Sequence, residues 1–230
     1  MVPLFFLGVL LKQVMAIFGK LPQKGFSKTR LSKDVGEELA LKLYKAFISD
    51  FAKNLENINC FETIYVFGTP SQLETQKYFQ REFSKFKMIY FPQSEVPFFQ
   101  RLAEVFSKIR EAEGDCYIHL TGTDIPDFPF EQITKILPKK NTLYLGPDID
   151  GGFYYVGGEA KFYKVFSFEI HGTILESISK SAKDLGLEVS HLKTWSDIDD
   201  LDGLKAVLKR SPREKISHTA ALWPGQTKIK

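Results

Sequence analysis

His119-Leu-Thr-Gly-Thr-Asp-Ile-Pro-Asp127 is the stretch on which the fold turns. The apolar run from Cys116 to Leu120 breaks there into threonine, glycine and aspartate, the pattern of a buried strand that carries Asp124 to an open sheet edge. In open α/β sheets ligands bind beyond the carboxyl ends of the strands, where loops and free backbone groups converge. A carboxylate at that place suits a hard cation such as Mg²⁺ or Mn²⁺, which takes one or two carboxylate oxygens and leaves its other positions to water and substrate phosphates. Asp124 also fits a plainer role, capping the next helix or closing an Asx turn before Pro126.

Outward from this stretch, short apolar runs alternate with helical patterns. Thr63-Ile-Tyr-Val-Phe67, Met88-Ile-Tyr-Phe91, Thr142-Leu-Tyr-Leu-Gly146 and Glu188 to Leu192 read as strands, and so does the apolar segment that ends at Met15-Ala-Ile-Phe18. Leu39, Leu43, Phe47 and Phe51 recur at helical spacing in a helix from Val35 to about residue 54, for which Asp34 or Ser32 is the expected cap. Leu102, Val105, Phe106 and Ile109 mark a second helix ending near Gly114, and Phe130 to Leu137 a short one closed by Pro138. A further helix opens at Thr173 with Ile174, Leu175, Ile178, Ala182 and Leu185 on one face. The alternation predicts a three-layer α/β/α fold with a mostly parallel central sheet, in which Phe153 to Val156 enters as an antiparallel strand.

The loops between these elements carry the polar residues. Gly19-Lys-Leu-Pro-Gln-Lys-Gly-Phe-Ser-Lys-Thr-Arg-Leu31 places Lys20, Lys24, Lys28 and Arg30 among two glycines and the hydroxyls of Ser27 and Thr29. Such a loop can wrap a polyphosphate, although it is not a Walker loop, and it fits equally well as a solvated basic turn. Pro147-Asp-Ile-Asp-Gly-Gly152 sets Asp148 and Asp150 beside Gly151 and Gly152, either to hold a ribose or sugar hydroxyl or a metal-bound water, or simply to turn the chain between strands. His171 precedes a helix as a structural hydrogen-bonding residue or a base. Asp197, Asp199, Asp200 and Asp202 crowd one short stretch, which costs free energy unless a cation or solvent relieves it; more plainly, Asp199 caps the helix that follows, and both roles can hold together.

At 230 residues and 43% hydrophobic, the chain is long enough for one substantial core. We therefore expect a single domain over residues 1–210 and a loosely ordered tail over 211–230, with Trp223 docking on the body. The 31 basic and 28 acidic residues nearly balance, which argues against nucleic acid as a partner. Cys60 and Cys116 lie far apart in apolar surroundings and are expected to be buried free thiols in a reducing compartment. The apolar run Val2 to Leu11 lacks a basic flank and a cleavage site and is too short to span a bilayer, so it is read as a first core strand. The expectation is a cytoplasmic protein without stable membrane insertion.

Four blocks resemble a bacterial family of nucleotide-diphospho-sugar-transferase-like proteins that includes selenodomain-associated and arsenosugar-type glycosyltransferases. They are Lys20-Leu-Pro with Gly25-Phe-Ser-Lys-Thr-Arg-Leu31, then Gly122-Thr-Asp-Ile-Pro-Asp127, then Gly146-Pro-Asp-Ile-Asp-Gly-Gly-Phe-Tyr154, and Asp197-Ile-Asp-Asp-Leu-Asp202. Relatives of that family are the molybdopterin-cofactor nucleotidyltransferases and the phospholactate guanylyltransferases. The resemblance, from about Ala16 to Leu208, implies a GT-A-type fold whose first loop grips nucleotide phosphates through Lys28 and Arg30. It implies Asp124, Asp197 and Asp199 as ligands of Mg²⁺ or Mn²⁺, and Asp150 in the Asp-Gly-Gly block as a substrate contact, so that Asp124 and Asp150 are the catalytic candidates. The substrate or phosphate contacts are then Lys20, Lys28, Thr29, Arg30, Gly151, Gly152 and His171. The chain departs from the family at Gln93-Ser-Glu-Val-Pro-Phe-Phe99, where a glycine-rich loop is common, at His171, where tryptophan is common, and at Ile125, where cysteine is common.

The activity expected from these residues is metal-dependent glycosyl transfer from a nucleotide sugar to an unspecified small-molecule acceptor. The same motifs serve nucleotidyl transfer from a nucleoside triphosphate with release of pyrophosphate. A non-catalytic nucleotide-binding module is the alternative from another class, favoured by the altered Gln93 to Phe99 loop and opposed by the intact carboxylates.

Overall fold

Strand β1 (Lys12–Lys20) runs through the middle of the sheet, and Val14, Met15, Ala16 and Ile17 are fully buried in it. Side chains alternate across a strand, so Val14 and Ala16 join one apolar layer and Met15 and Ile17 the other. A computed structural model describes residues 11–58, 60–168 and 172–223. The elements that follow β1 are α1 (Thr29–Val35), α2 (Glu37–Glu56), β2 (Thr63–Thr69), α3 (Leu73–Glu82), β3 (Lys87–Pro92), α4 (Phe98–Glu113) and β4 (Cys116–Gly122). Then come α5 (Phe130–Ile133), β5 (Thr142–Pro147), β6 (Phe153–Glu159), a 3-10 helix (Ala160–Phe166), α6 (Ile174–Asp184), β7 (Glu188–His191), α7 (Leu201–Arg210) and α8 (Ser217–Leu222).

The strands form one seven-stranded sheet in the order β3-β2-β1-β4-β6-β5-β7. All neighbours pair in parallel except at β6, which runs antiparallel to both β4 and β5. Because β6 is reversed, β5 and β7 point the same way as β1 and β4. On one face, Leu43, Phe47, Ile48 and Phe51 of α2 pack with Leu204 and Val207 of α7. On the other, Leu102, Val105, Phe106 and Ile109 of α4 pack with Ile178 and Ala182 of α6. Each fully buried side chain of this size contributes roughly 1.5–3 kcal/mol, so the two apolar layers fix the sheet between the helices.

Several local expectations are corrected. The helix expected from Val35 is two helices broken at Gly36, whose φ of 81° leaves the helical region, and neither Ser32 nor Asp34 caps the second. Asp34 instead accepts a hydrogen bond from the Leu201 backbone N–H at 3.3 Å, tying α1 to the start of α7. The helix expected over Phe130 to Leu137 stops at Ile133. Cys60 is exposed in the connection after α2, whereas Cys116 is a buried free thiol as expected. The apolar run at 2–10 and His171 lie outside the described residues.

The tail from 211 is docked rather than loose as far as Trp223, which packs on the same cluster as α2. Asp50, fully buried in α2, accepts from the backbone N–H groups of His218 at 2.9 Å and Thr219 at 2.8 Å, at the start of α8. Charge-assisted bonds of this kind are about twice as strong as neutral ones, which offsets the burial of the carboxylate. Asn54 adds bonds to the carbonyls of Lys215 at 2.7 Å and Pro126 at 2.9 Å, linking the tail to the loop after β4.

One polar group sits deep in the sheet. His119 of β4 is fully buried between Gln13 and Tyr155, at 2.9 Å from each. The Gln13 amide oxygen can only accept, so Nε2 donates to it and Nδ1 accepts from the Tyr155 hydroxyl; the ring is neutral. Burial depresses its pKa to about 3. The unfolded chain takes up a proton near pH 6.5 and the folded one does not, so stability held above that pH is lost as pH falls toward 3. The urea midpoint should therefore drop between pH 7 and pH 4.5, and His119→Gln should flatten that drop; equal slopes for the two proteins would assign the loss to other groups.

Candidate active site

Asp124 leaves the end of β4 through a narrow place: a Cβ added at Gly122 would lie 2.7 Å from its Oδ1, so glycine lets the carboxylate fold back over the strand end. The next residue back, Thr123, bonds the Tyr44 hydroxyl at 3.0 Å, and that hydroxyl accepts from the Lys20 backbone N–H at 3.3 Å. Tyr44 is buried in α2, yet its polar end joins the ends of β1 and β4. Burial, and after it the charge of Asp124, pushes its hydroxyl up to about 12, so it is neutral here.

The Asp124 carbonyl accepts from the Ile198 backbone N–H at 3.1 Å, which draws the segment between β7 and α7 against the loop after β4. Carboxylate oxygens of Asp124, Asp197 and Asp199 consequently lie within 4.8 Å of one another. Helix α7 is capped by Asp200, which accepts from the Gly203 N–H at 2.9 Å, and not by Asp199 as expected. Capping by the neighbour leaves Asp199 free to face the basic loop.

Lys28 fills the space between the acids. Its ammonium lies 2.9 Å from Asp124 Oδ2 and 3.0 Å from Asp199 Oδ1, with the side chain only 7% exposed. The backbone of Lys28 is left-handed, φ 51° and ψ 47°, at the start of α1. That conformation costs a non-glycine residue on the order of 1–3 kcal/mol and persists because the ion pairs over-determine it. Burial by itself would lower the lysine pKa, but Asp124, Asp199 and Asp197 outweigh it and hold the amine firmly protonated. Arg30, 71% exposed, reaches the other oxygen of Asp199 at 2.9 Å.

The acids titrate apart as a result. Burial raises Asp199, but Lys28 and Arg30 overcome it and keep its carboxyl below the ordinary range. Burial and then Asp124 push Asp197 up to about 8. Burial and Asp150 also raise Asp148, against the lowering effect of the Ile149 and Asp197 backbone N–H groups. Lys20 lies over the Phe26 ring at 4.1 Å, and burial and Lys28 lower its pKa. Lys20, Thr29, Arg30 and Tyr44 complete the walls of a 230 Å³ cleft around Lys28, Asp124 and Asp199.

Asp150, Gly151 and Gly152 do not line this cleft. Asp150 closes a turn by accepting from the Gly152 N–H at 3.0 Å, and Gly151 takes φ 86° there, so the plainer reading of the Asp-Gly-Gly block describes what these groups do in the fold. The divergent Gln93 stretch is anchored to the strand ends: the Gln93 amide donates to the Phe67 carbonyl at 2.7 Å and accepts from Arg101 at 2.8 Å. Two further residues had no role assigned from the sequence: Asp127, quoted only as the end of a block, and Arg210. Asp127 is fully buried, and Arg210 grips it with Nε at 2.7 Å and Nη2 at 2.9 Å while also donating to the Ser196 carbonyl at 2.7 Å. The guanidinium lies over the Trp195 ring, 4.6 Å from its centre. One side chain thus fastens the loop bearing Asp124 to the segment bearing Asp197. Its signal, an arginine at the end of a helix far from any motif, is invisible without the pairing.

Residues 61–173 match the model of a family described as an uncharacterized protein conserved in bacteria, DUF2064. A search of curated proteins gave no match. Among solved structures, a Desulfovibrio desulfuricans G20 protein provisionally assigned as a nucleotide-diphospho-sugar transferase is 25% identical, with a TM-score of 0.79 over 93% of this chain and 94% of that one. This is the nucleotide-diphospho-sugar transferase fold. A cytidylyltransferase from Leptospira borgpetersenii serovar Hardjo-bovis shares it at 11% identity and a TM-score of 0.56, covering 96% of this chain and 100% of the other. A 4-diphosphocytidyl-2C-methyl-D-erythritol synthase shares it at 10% identity and 0.54, covering 93% and 98%. The chain is accordingly an enzyme of the transferase type, built on a mostly parallel sheet with its acids at the carboxyl edge. No helix among the described residues is long and apolar enough to cross a membrane.

The Arg210 clamp gives this arrangement a measurable dependence. Truncating one partner of a buried pair leaves the other uncompensated, a loss of about 3–5 kcal/mol. Arg210→Met should lower the urea unfolding free energy by roughly that amount. Adding Asp127→Asn to it should cost little more, since the two act on one interaction. Additive losses would mean that the residues work separately.

Proposed function

We propose that the protein transfers a sugar from a nucleotide sugar to a small-molecule acceptor, with Mg²⁺ or Mn²⁺ held by Asp124, Asp197 and Asp199. The observation that carries this reading is the meeting of those three acids, within 4.8 Å, with Lys28 and Arg30 at the carboxyl edge of the sheet. The donor set fits the ion: three hard carboxylate oxygens, partly exposed, on two loops joined by a backbone hydrogen bond. The 25% identity to a provisionally assigned nucleotide-diphospho-sugar transferase supports the same donor class. A bound cation would help neutralise the charge that develops on the departing phosphate.

The roles of the chain's own residues follow from charge and position. Lys28 and Lys20, in the cleft wall with Thr29, bind diphosphate oxygens and hold the leaving group in place. Arg30 stands at the outer end of the cleft, where the diphosphate enters. In the transfer the bond from the anomeric carbon to the phosphate oxygen breaks, the electron pair leaves with the nucleoside diphosphate, and the acceptor oxygen forms the new bond and gives up its proton. Nucleotidyl transfer is the second reading, favoured by the fold shared with cytidylyltransferases. There a substrate phosphate attacks the α-phosphorus and pyrophosphate departs.

Incubation with Mg²⁺ and panels of nucleotide sugars and nucleoside triphosphates, followed by identification of the phosphate product, separates these readings. Nucleoside diphosphate is expected. Pyrophosphate would establish the second reading, and no turnover with any pair would leave a binding module. Asp124→Ala should lower the observed rate by about 100-fold or more. A variant that keeps full rate would remove Asp124 from the reaction.

A further inference from the structure

Lys28 has two claims on it that cannot be met together. It bonds Asp124 and Asp199, two of the three acids that a divalent cation would need, and it faces the cleft in which a phosphate would need the lysine. Mg²⁺ and Mn²⁺ sit at about 2.0–2.2 Å from carboxylate oxygens, so an ammonium held on the same carboxylates would press two like charges together. Nor can the ammonium be left alone: with 7% of its side chain exposed, an unpaired charge would pay heavily for desolvation. Arg30 occupies the second oxygen of Asp199, and Asp197 alone of the three acids has no ion pair among the described residues.

We propose that Lys28 is an internal counter-ion that bars a divalent cation from the acid cluster until a polyphosphate draws its ammonium away, so that metal and polyphosphate enter together. This rests on the metal-site reading above and adds the regulation of that site. The residue that makes the exchange possible is Lys28 itself, since its left-handed backbone at the mouth of α1 sets the side chain between the cleft and the acids. Lys20 lines the same cleft but makes no ion pair with the cluster, so it serves as an internal comparison of equal charge. Linkage requires the effect to be reciprocal: whatever holds Lys28 on the acids weakens phosphate binding as it weakens metal binding.

The test uses the full chain and Mn²⁺ alone, followed by the loss of the free-ion electron paramagnetic resonance signal. Wild type should bind weakly, and Lys28→Met should bind about tenfold more tightly or better, while Lys20→Met changes affinity by no more than about threefold. Equal tightening in the two variants would reduce the effect to general charge and overturn the proposal, as would no tightening in Lys28→Met. The reciprocal measurement keeps Lys28 in place: inorganic pyrophosphate binding in EDTA should tighten in Asp124→Asn, which frees the ammonium, and hardly change in Asp148→Asn. An unchanged Asp124→Asn would also overturn it. The metal-site reading has its own signature, because Asp197→Asn should weaken Mn²⁺ binding in the Lys28→Met background; if it does not, that reading fails whatever Lys28 does.

Discussion

Three carboxylates from two loops cannot be kept within 4.8 Å of one another at a partly buried sheet edge without positive charge among them. Every unusual feature of this edge answers that constraint. Lys28 adopts a strained left-handed backbone and gives up most of its solvent to stand between Asp124 and Asp199. Arg30 adds a second, exposed cation, and the acid that neither cation bonds, Asp197, is the one whose carboxyl burial and its neighbour push upward.

The repulsion is contained by fastenings outside the cleft. Arg210 joins Asp127 to Ser196, and the Ile198 N–H joins the second acidic segment to the Asp124 carbonyl. The first of these is a buried, fully bonded ion pair, which adds little net stability over an apolar substitute but fixes geometry. Its value lies in register: without it, the segment from Trp195 to Asp199 would be a loop whose acids could relax apart. Farther out, Asp50 holds the start of α8 and Asn54 ties the tail to Pro126, so α2 braces the loop after β4 from behind.

Much of this was legible in the sequence, and the reason is period and punctuation. Buried parallel strands are continuous apolar runs, so β2, β4 and β5 announced themselves, as did the half-buried edge strand β3, and the glycine–aspartate break after β4 marked the edge. Acids at 124, 197 and 199 and cations at 28 and 30 could be named because they interrupt those runs at the strand ends. Contacts that depend on pairing across the chain were not legible. Asp50 and Arg210 drew no reading, and the tail was expected to be loose, because the partner that satisfies each lies more than 80 residues away. Cap assignments failed by one residue at Asp199 for a local reason: Asp200 has the extended backbone from which a side chain can reach Gly203. The helix from Val35 failed because Gly36 breaks it, a conformational fact that apolar spacing does not carry.

The reversed strand explains why residues so far apart arrive together. With β6 antiparallel to both neighbours, β5 and β7 regain the direction of β1 and β4. The loops that leave β1, β4, β5 and β7 therefore open on one edge, and they bring Lys28, Asp124, Asp148 and Asp197 in that order. Had β6 entered in parallel, a crossover helix would have been needed between β5 and β6, and the short turn at Asp150 to Gly152 could not have joined them. The Asp-Gly-Gly block is then best understood as the turn that permits the reversal: Gly151 supplies the positive φ, and Asp150 closes the ring on the Gly152 N–H. By turning the chain there it sends β6 back between β5 and β4, and Asp148 at its start lies near Asp197.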